Sequence, residues 1–158
     1  MNKKEVIGYI ILLILVILLR TYVFSLIRVN GTSMYDTLKN NDIMVLNKLG
    51  KNDINRFDIV VVDIGTEKVI KRVIGLPDED IEYKENVLYI NGKEIKNNYG
   101  NGNTKDFVDY CPSGSYFVMG DNRENSLDSR VFSCVTKKQI LGKTHIILFP
   151  FNRIGKVD

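Results

Sequence analysis

The chain has 158 residues, with 22 Lys and Arg against 19 Asp and Glu, for a net charge of +3. That length fits about one domain, and the basic residues are scattered instead of gathered in a stripe, which argues against a nucleic-acid partner. With two cysteines, one histidine, no C-x-x-C pair and no Cys/His cluster, no metal centre is expected, and no motif calls for a cofactor.

The first element is apolar. Val6 to Leu19 reads VIGYIILLILVILL without a charge. This run is short of the roughly 20 residues that a spanning helix needs, but it continues past Arg20 into TYVFSLI. Arg20 can carry its guanidinium to the interface, where Tyr22 and Phe24 are at home. A cleavable signal peptide would also begin with Lys3 and Lys4 and an apolar run, yet no small-x-small site follows. A core helix this apolar all round would need a larger domain around it. We therefore expect residues 1–5 as a short cytoplasmic end, residues 6–27 as a membrane anchor and residues 28–158 as the body. Lys3 and Lys4 favour an inside N-terminus, while Arg20 and Arg28 nearly balance the count.

The body, roughly 130 residues, is large enough for a real core. Its pattern is β. Ile43 to Asn47, Phe57 to Asp63, Val69 to Ile74, Ile81 to Lys84, Val87 to Ile90, Ser115 to Met119 and Thr144 to Phe149 are short β-branched or aromatic runs. Asn91-Gly92 between two such runs is a hairpin signal. Residues 97–114, rich in Asn and Gly, read as a long mobile loop. The fold class is mainly β, one β-rich domain behind one helix. Cys111 and Cys134 would form a disulfide only if the fold brings them together outside the cytoplasm.

Three segments carry chemistry. The first is GTSMYDTL, residues 31–38, where Gly31 permits close backbone approach and Ser33 lies at a break between extended runs. Such a break exposes a hydroxyl and aims backbone N–H groups at an oxyanion, although a plain turn has the same composition. A serine nucleophile needs a base within hydrogen-bond reach. The one histidine, His145, sits in a strand-like run and reads as structural. Lysine is the alternative, provided burial lowers its pKa from about 10.4. Lys71, in VIKRVIG, shares a strand face with Val69 and Val73. A lysine so placed on an edge strand also serves to deter aggregation. The third segment, GDNRENSLDSR at residues 120–130, is a polar loop with ion-pair potential.

Taken in order behind the apolar run, RTYVFSLIRVNGTSMYDTL, KRVIGLPDEDIEY and VMGDNRENSLDSRVF resemble the bacterial type I signal peptidases (S26-like), membrane-anchored serine peptidases with a Ser–Lys dyad. The resemblance covers nearly the whole chain. It implies a signal peptidase type catalytic domain with a coiled, barrel-like sheet. Ser33 would be the nucleophile and Lys71 the general base. Ser126 would hydrogen-bond the Lys71 amine, Asp128 and Arg130 would form an ion pair beneath the site, and Asp121 and Arg123 would support the same loop. The Ser33 N–H would donate to the oxyanion. Some members add a hydroxyl donor where this chain has Gly31, and most carry Pro where it has Asp36. The implied substrates are exported preproteins, cut after a small-x-small motif whose side chains enter apolar pockets near Met34, Val69 and Ile70. The implied setting is a monomer in the cell membrane, single-pass, with its N-terminus cytoplasmic and its catalytic domain on the outer face. Phe149 and Phe151 are expected at the bilayer interface. Other readings are a self-cleaving repressor (whose DNA-binding domain is lacking), a His-dependent branch of the signal peptidases, and a membrane-tethered non-catalytic β domain binding a peptide or partner.

Overall fold

The computed structural model describes residues 2–157. Its first element is α1, Lys3–Tyr22. Asn2 caps it in a reciprocal capping box with Glu5, and Arg20 lies in its last turn, where a cation complements the helix dipole. Not one of its residues is buried. At 1.5 Å per residue its 20 residues span about 30 Å, the thickness of a bilayer's hydrocarbon core. Mean hydropathy over its apolar window is 2.1.

The remaining elements are β1 Phe24–Arg28, β2 Ile43–Asn47, β3 Ile59–Asp63, β4 Lys68–Gly75, β5 Glu79–Lys84, β6 Val87–Ile90, β7 Lys93–Ile95, β8 Phe107–Cys111, β9 Ser115–Met119, α2 Ser129–Phe132, β10 Val135–Thr136, β11 Ile140–Phe149 and β12 Gly155–Lys156. They form two sheets. The larger runs β1-β2-β11-β3-β4-β9-β10, with β12 paired to β11; the smaller runs β7-β6-β5-β8. β11 bridges β2 and β3 with shifts of register, which is how one long strand bends around a curled sheet. The class is mainly β, as expected.

Two segments differ from expectation. The helix stops at Tyr22, and residues 24–28 pair antiparallel with β2, so the end of the expected anchor segment belongs to the sheet. Residues 97–114 are not a structureless loop: Phe107–Cys111 pairs with β5. The hairpin at Asn91-Gly92 forms as expected, with φ of +50° and +73°, the left-handed pair of a type I′ turn.

Three apolar clusters hold the body together. Ile74, Ile81, Leu88, Phe117 and Met119 fill the space between the two sheets. Val60, Val62, Val73, Val118 and Ile140 form a second cluster, and Met34, Leu38, Met44, Ile59 and Ile147 a third. The last anchors the nucleophile segment, because Met34, next to Ser33, and Leu38 further on are both buried in it. Cys111 and Cys134 are free thiols. Cys134 packs against the cluster that contains Cys111.

Candidate active site

Lys71 comes from the middle of β4, paired with Val60 of β3. Both neighbouring strands are apolar, so the ammonium has little water: Lys71 is 2% exposed. Its Nζ lies 2.8 Å from Ser33 Oγ. Burial lowers the Lys71 pKa from 10.5 to about 8, partly opposed by the charges of Asp128 and Glu67 and assisted by Arg130. At pH 7 about a tenth of such lysines are neutral, against fewer than about one in a thousand for a free side chain.

The loop after β9 fixes Ser33 from the other side. Asn122 donates its backbone N–H to the Ser33 carbonyl at 3.0 Å and its side-chain amide to the Thr32 carbonyl at 3.2 Å. The Asn125 amide reaches Thr32 Oγ1 at 3.1 Å. Among the described residues the Ser33 N–H donates to no protein acceptor. Gly31 adopts φ +88°, and its N–H is taken by Asn40 Oδ1, so it does not supply a second oxyanion donor in this state. Gly120 is needed for contact: a Cβ there would collide with Ser126 Oγ and the Ser33 carbonyl.

Asp128 and Arg130 form the expected ion pair at 2.8 Å, with the carboxylate fully buried. Burial opposes ionisation of Asp128, but Arg130 and the Gly120 N–H outweigh it and hold the carboxyl below its ordinary range. Arg123 donates to the Gly120 and Tyr99 carbonyls and to the Tyr83 hydroxyl. Asp121 lies in the same loop but reaches elsewhere. It takes both forks of the Arg72 guanidinium, at 2.9 and 2.7 Å, and the Thr37 hydroxyl. This ties the nucleophile segment, β4 and the loop together.

One expectation is not met. Ser126 Oγ is buried and makes no hydrogen bond to the Lys71 amine in this state; it lies instead beside Asp128, where it helps Arg130 hold the carboxyl below its ordinary range. His145 is exposed on β11 and lines a separate cavity with Tyr99 and Lys143. Two contributors were not singled out from sequence. Arg72 pairs with Asp121, 49 residues away, a partnership that strand periodicity does not reveal. Glu67 sits in a turn with no motif around it.

Beside Ser33 opens a cleft of about 500 Å³. Met34, Val69 and Ile70 give it apolar wall, and Asn30, Glu67 and Lys68 line its rim. Among the described residues no group of His, Cys, Asp or Glu is arranged to hold a metal ion.

The family model described as "Signal peptidase, peptidase S26" matches residues 3–149. Signal peptidase I S of Bacillus subtilis (strain 168) is 38% identical over 99% of this chain and 96% of its own length. Signal peptidase I P of Bacillus subtilis subsp. natto is 41% identical over 97% of this chain and 94% of its own. A crystal structure of a signal peptidase I from Enterococcus faecalis V583 superposes with a TM-score of 0.53 at 37% identity, covering 58% of this chain and 96% of that one.

Proposed function

Because the chain belongs to the S26 signal peptidase family, and is thus a serine endopeptidase, we propose that it removes signal peptides from exported preproteins with Ser33 as nucleophile and Lys71 as general base. The observation that carries this reading is the 2.8 Å approach of Nζ to Oγ at a lysine with almost no solvent exposure. The neutral amine accepts the Ser33 proton as Oγ attacks the scissile carbonyl carbon. The Ser33 N–H donates to the oxyanion. The Lys71 ammonium then gives its proton to the leaving amine, and an acyl-enzyme remains. A water molecule, deprotonated by Lys71, attacks that ester and frees Ser33.

The supporting residues act by position. Asp128 with Arg130, and Asp121 with Arg72, hold the loop and strand whose registration sets the dyad. Arg123 holds the Gly120 turn. Ser126 would orient the Lys71 amine during turnover by a hydrogen bond absent from the resting state. Met34, Val69 and Ile70 suit small apolar side chains, which supports cleavage after a small-x-small motif. Asp36, hydrogen-bonded to Asn101 at 2.8 Å, adds negative charge three residues from the nucleophile.

Residues 3–22 serve as the anchor of a single-pass membrane protein, with its N-terminus cytoplasmic and the body on the outer face. The anchor confines enzyme and substrate to one bilayer and so raises their effective concentration. Exposed Phe149 and Phe151, packed edge to face at 5.5 Å, would supply apolar surface to that interface. One chain supplies every residue in this scheme, so a monomer suffices. The deciding assay is preprotein cleavage by the detergent-solubilised protein, with Ser33→Ala and Lys71→Ala as controls. Both variants are expected to lose cleavage; full activity in either excludes the dyad, and binding without cleavage by the parent protein favours a non-catalytic tethered domain.

A further inference from the structure

A second groove runs from the end of α1 along the sheet. Its volume is about 960 Å³, and its lining includes Thr21, Tyr22, Leu26, Leu49 and Leu141. It carries five cations, Arg28, Lys48, Lys51, Lys68 and Lys138, and no acidic residue. That is a marked imbalance in a chain whose acids and bases nearly match in number. Two of the cations are engaged: Lys48 Nζ donates to the Arg20 and Thr21 carbonyls at the helix end, and Arg28 to Asn41. Lys51, Lys68 and Lys138 are exposed, and among the described residues none takes part in a salt bridge.

The depth of the groove says what it meets. A helix about 30 Å long fills the hydrocarbon core. Thr21 and Tyr22, at its end, therefore lie at the level of the lipid headgroups. The groove opens at that level, with exposed Tyr22, Leu26 and Leu49 giving it apolar wall. Apolar edge, cationic floor and adjoining membrane helix together match a phosphodiester headgroup attached to acyl chains. We propose that this groove binds the headgroup of an anionic phospholipid, in the leaflet that faces the catalytic domain. It shares Arg28, Asn30, Lys68 and Ile70 with the cleft beside Ser33, so bound lipid would lie against the wall of the substrate site. The proposal rests on α1 being a membrane anchor, not on the catalytic dyad.

The test uses the full chain in a neutral detergent. Dihexanoyl phosphatidylglycerol, dihexanoyl phosphatidylcholine and glycerol phosphate are titrated separately, and bound molecules are counted by native mass spectrometry. One phosphatidylglycerol should bind at least about tenfold tighter than phosphatidylcholine. Lys51→Gln/Lys138→Gln should lose roughly fivefold for each lysine, from the charge attraction removed. Lys93→Gln/Lys96→Gln, the same charge change on the far sheet, should lose nothing. Near-ultraviolet circular dichroism establishes that each variant is folded. Equal binding of the two lipids, or equal losses in both variants, overturns the site. Glycerol phosphate binding as tightly as phosphatidylglycerol shows an anion site without a lipid and overturns the proposal. Failure of the full chain to float with vesicles overturns the anchor itself, which separates that outcome from loss of headgroup preference.

Discussion

At Lys71 burial and nearby carboxylates act against each other, and burial wins. The consequence is a base active only when deprotonated, so cleavage rate should rise with pH and reach half its plateau near pH 8, following the Lys71 pKa of about 8. A profile governed by a group near 6.5 and abolished by His145→Ala would transfer the role to histidine. The same burial costs stability. The folded protein releases the Lys71 proton near pH 8 and the unfolded chain near 10.5. The unfolded state thus holds more protons between those values, and stability rises with pH across that window. Lys71→Met should be inactive yet more stable than the parent at pH 7, by up to about 3 kcal/mol, with the gap closing as pH passes 10. Chemical denaturation at pH 7 and 10.5 measures both ends. Ser126 provides a separate comparison. Its hydroxyl makes no hydrogen bond of good geometry and only assists Arg130 at Asp128, so Ser126→Ala should change stability by no more than about 1 kcal/mol. A kcat loss of tenfold or more would then show that the hydroxyl acts on Lys71 during turnover. Gly120→Ala, which drives a methyl into the Ser33 carbonyl and Ser126, should abolish cleavage, while Gly8→Ala in α1, where a methyl meets open space, does not.

Among the elements, β4 matters most because it carries the base on one face and Arg72 on the other. The Arg72–Asp121 pair is buried at both ends, with the Tyr99 ring 3.9 Å from the guanidinium carbon. Asp121→Ala removes a bidentate counter-charge from a buried guanidinium, so it should cost about 3–5 kcal/mol and displace the loop that holds Ser33. Arg72→Met/Asp121→Ala should recover much of that stability without restoring activity; thermal unfolding and cleavage assays on the four proteins of the cycle test this. The strands of this region were legible because β-branched runs alternate there with turn residues. β8 was not. Its FVDYC segment is short, alternates weakly and is embedded in an Asn- and Gly-rich stretch, and only pairing with β5 makes it a strand. β1 was hidden for another reason: its apolar residues follow directly on those of α1, and hydropathy does not distinguish the end of a helix from the start of a strand.

For the whole molecule, the separation between an unburied apolar helix and a self-contained β body predicts how the two halves divide their work. Deleting residues 1–19 should leave cleavage of a soluble peptide within about threefold. Cleavage of a preprotein embedded in vesicles should fall by roughly a hundredfold, because substrate and enzyme no longer share a bilayer. Equal losses on both substrates would show instead that α1 supports the fold. What the sequence by itself determined was the class of the body, the apolar helix in front of it, and Ser33 and Lys71 as residues worth pairing, since patterning and motif order are local properties of the chain. Folding alone establishes that the two groups lie 2.8 Å apart, that Asp121 pairs with Arg72, and that Ser126 is not bonded to the Lys71 amine. Those facts depend on contacts between segments 38 to 84 residues apart, and on a desolvation that exists only once β3 and β4 have closed around the lysine.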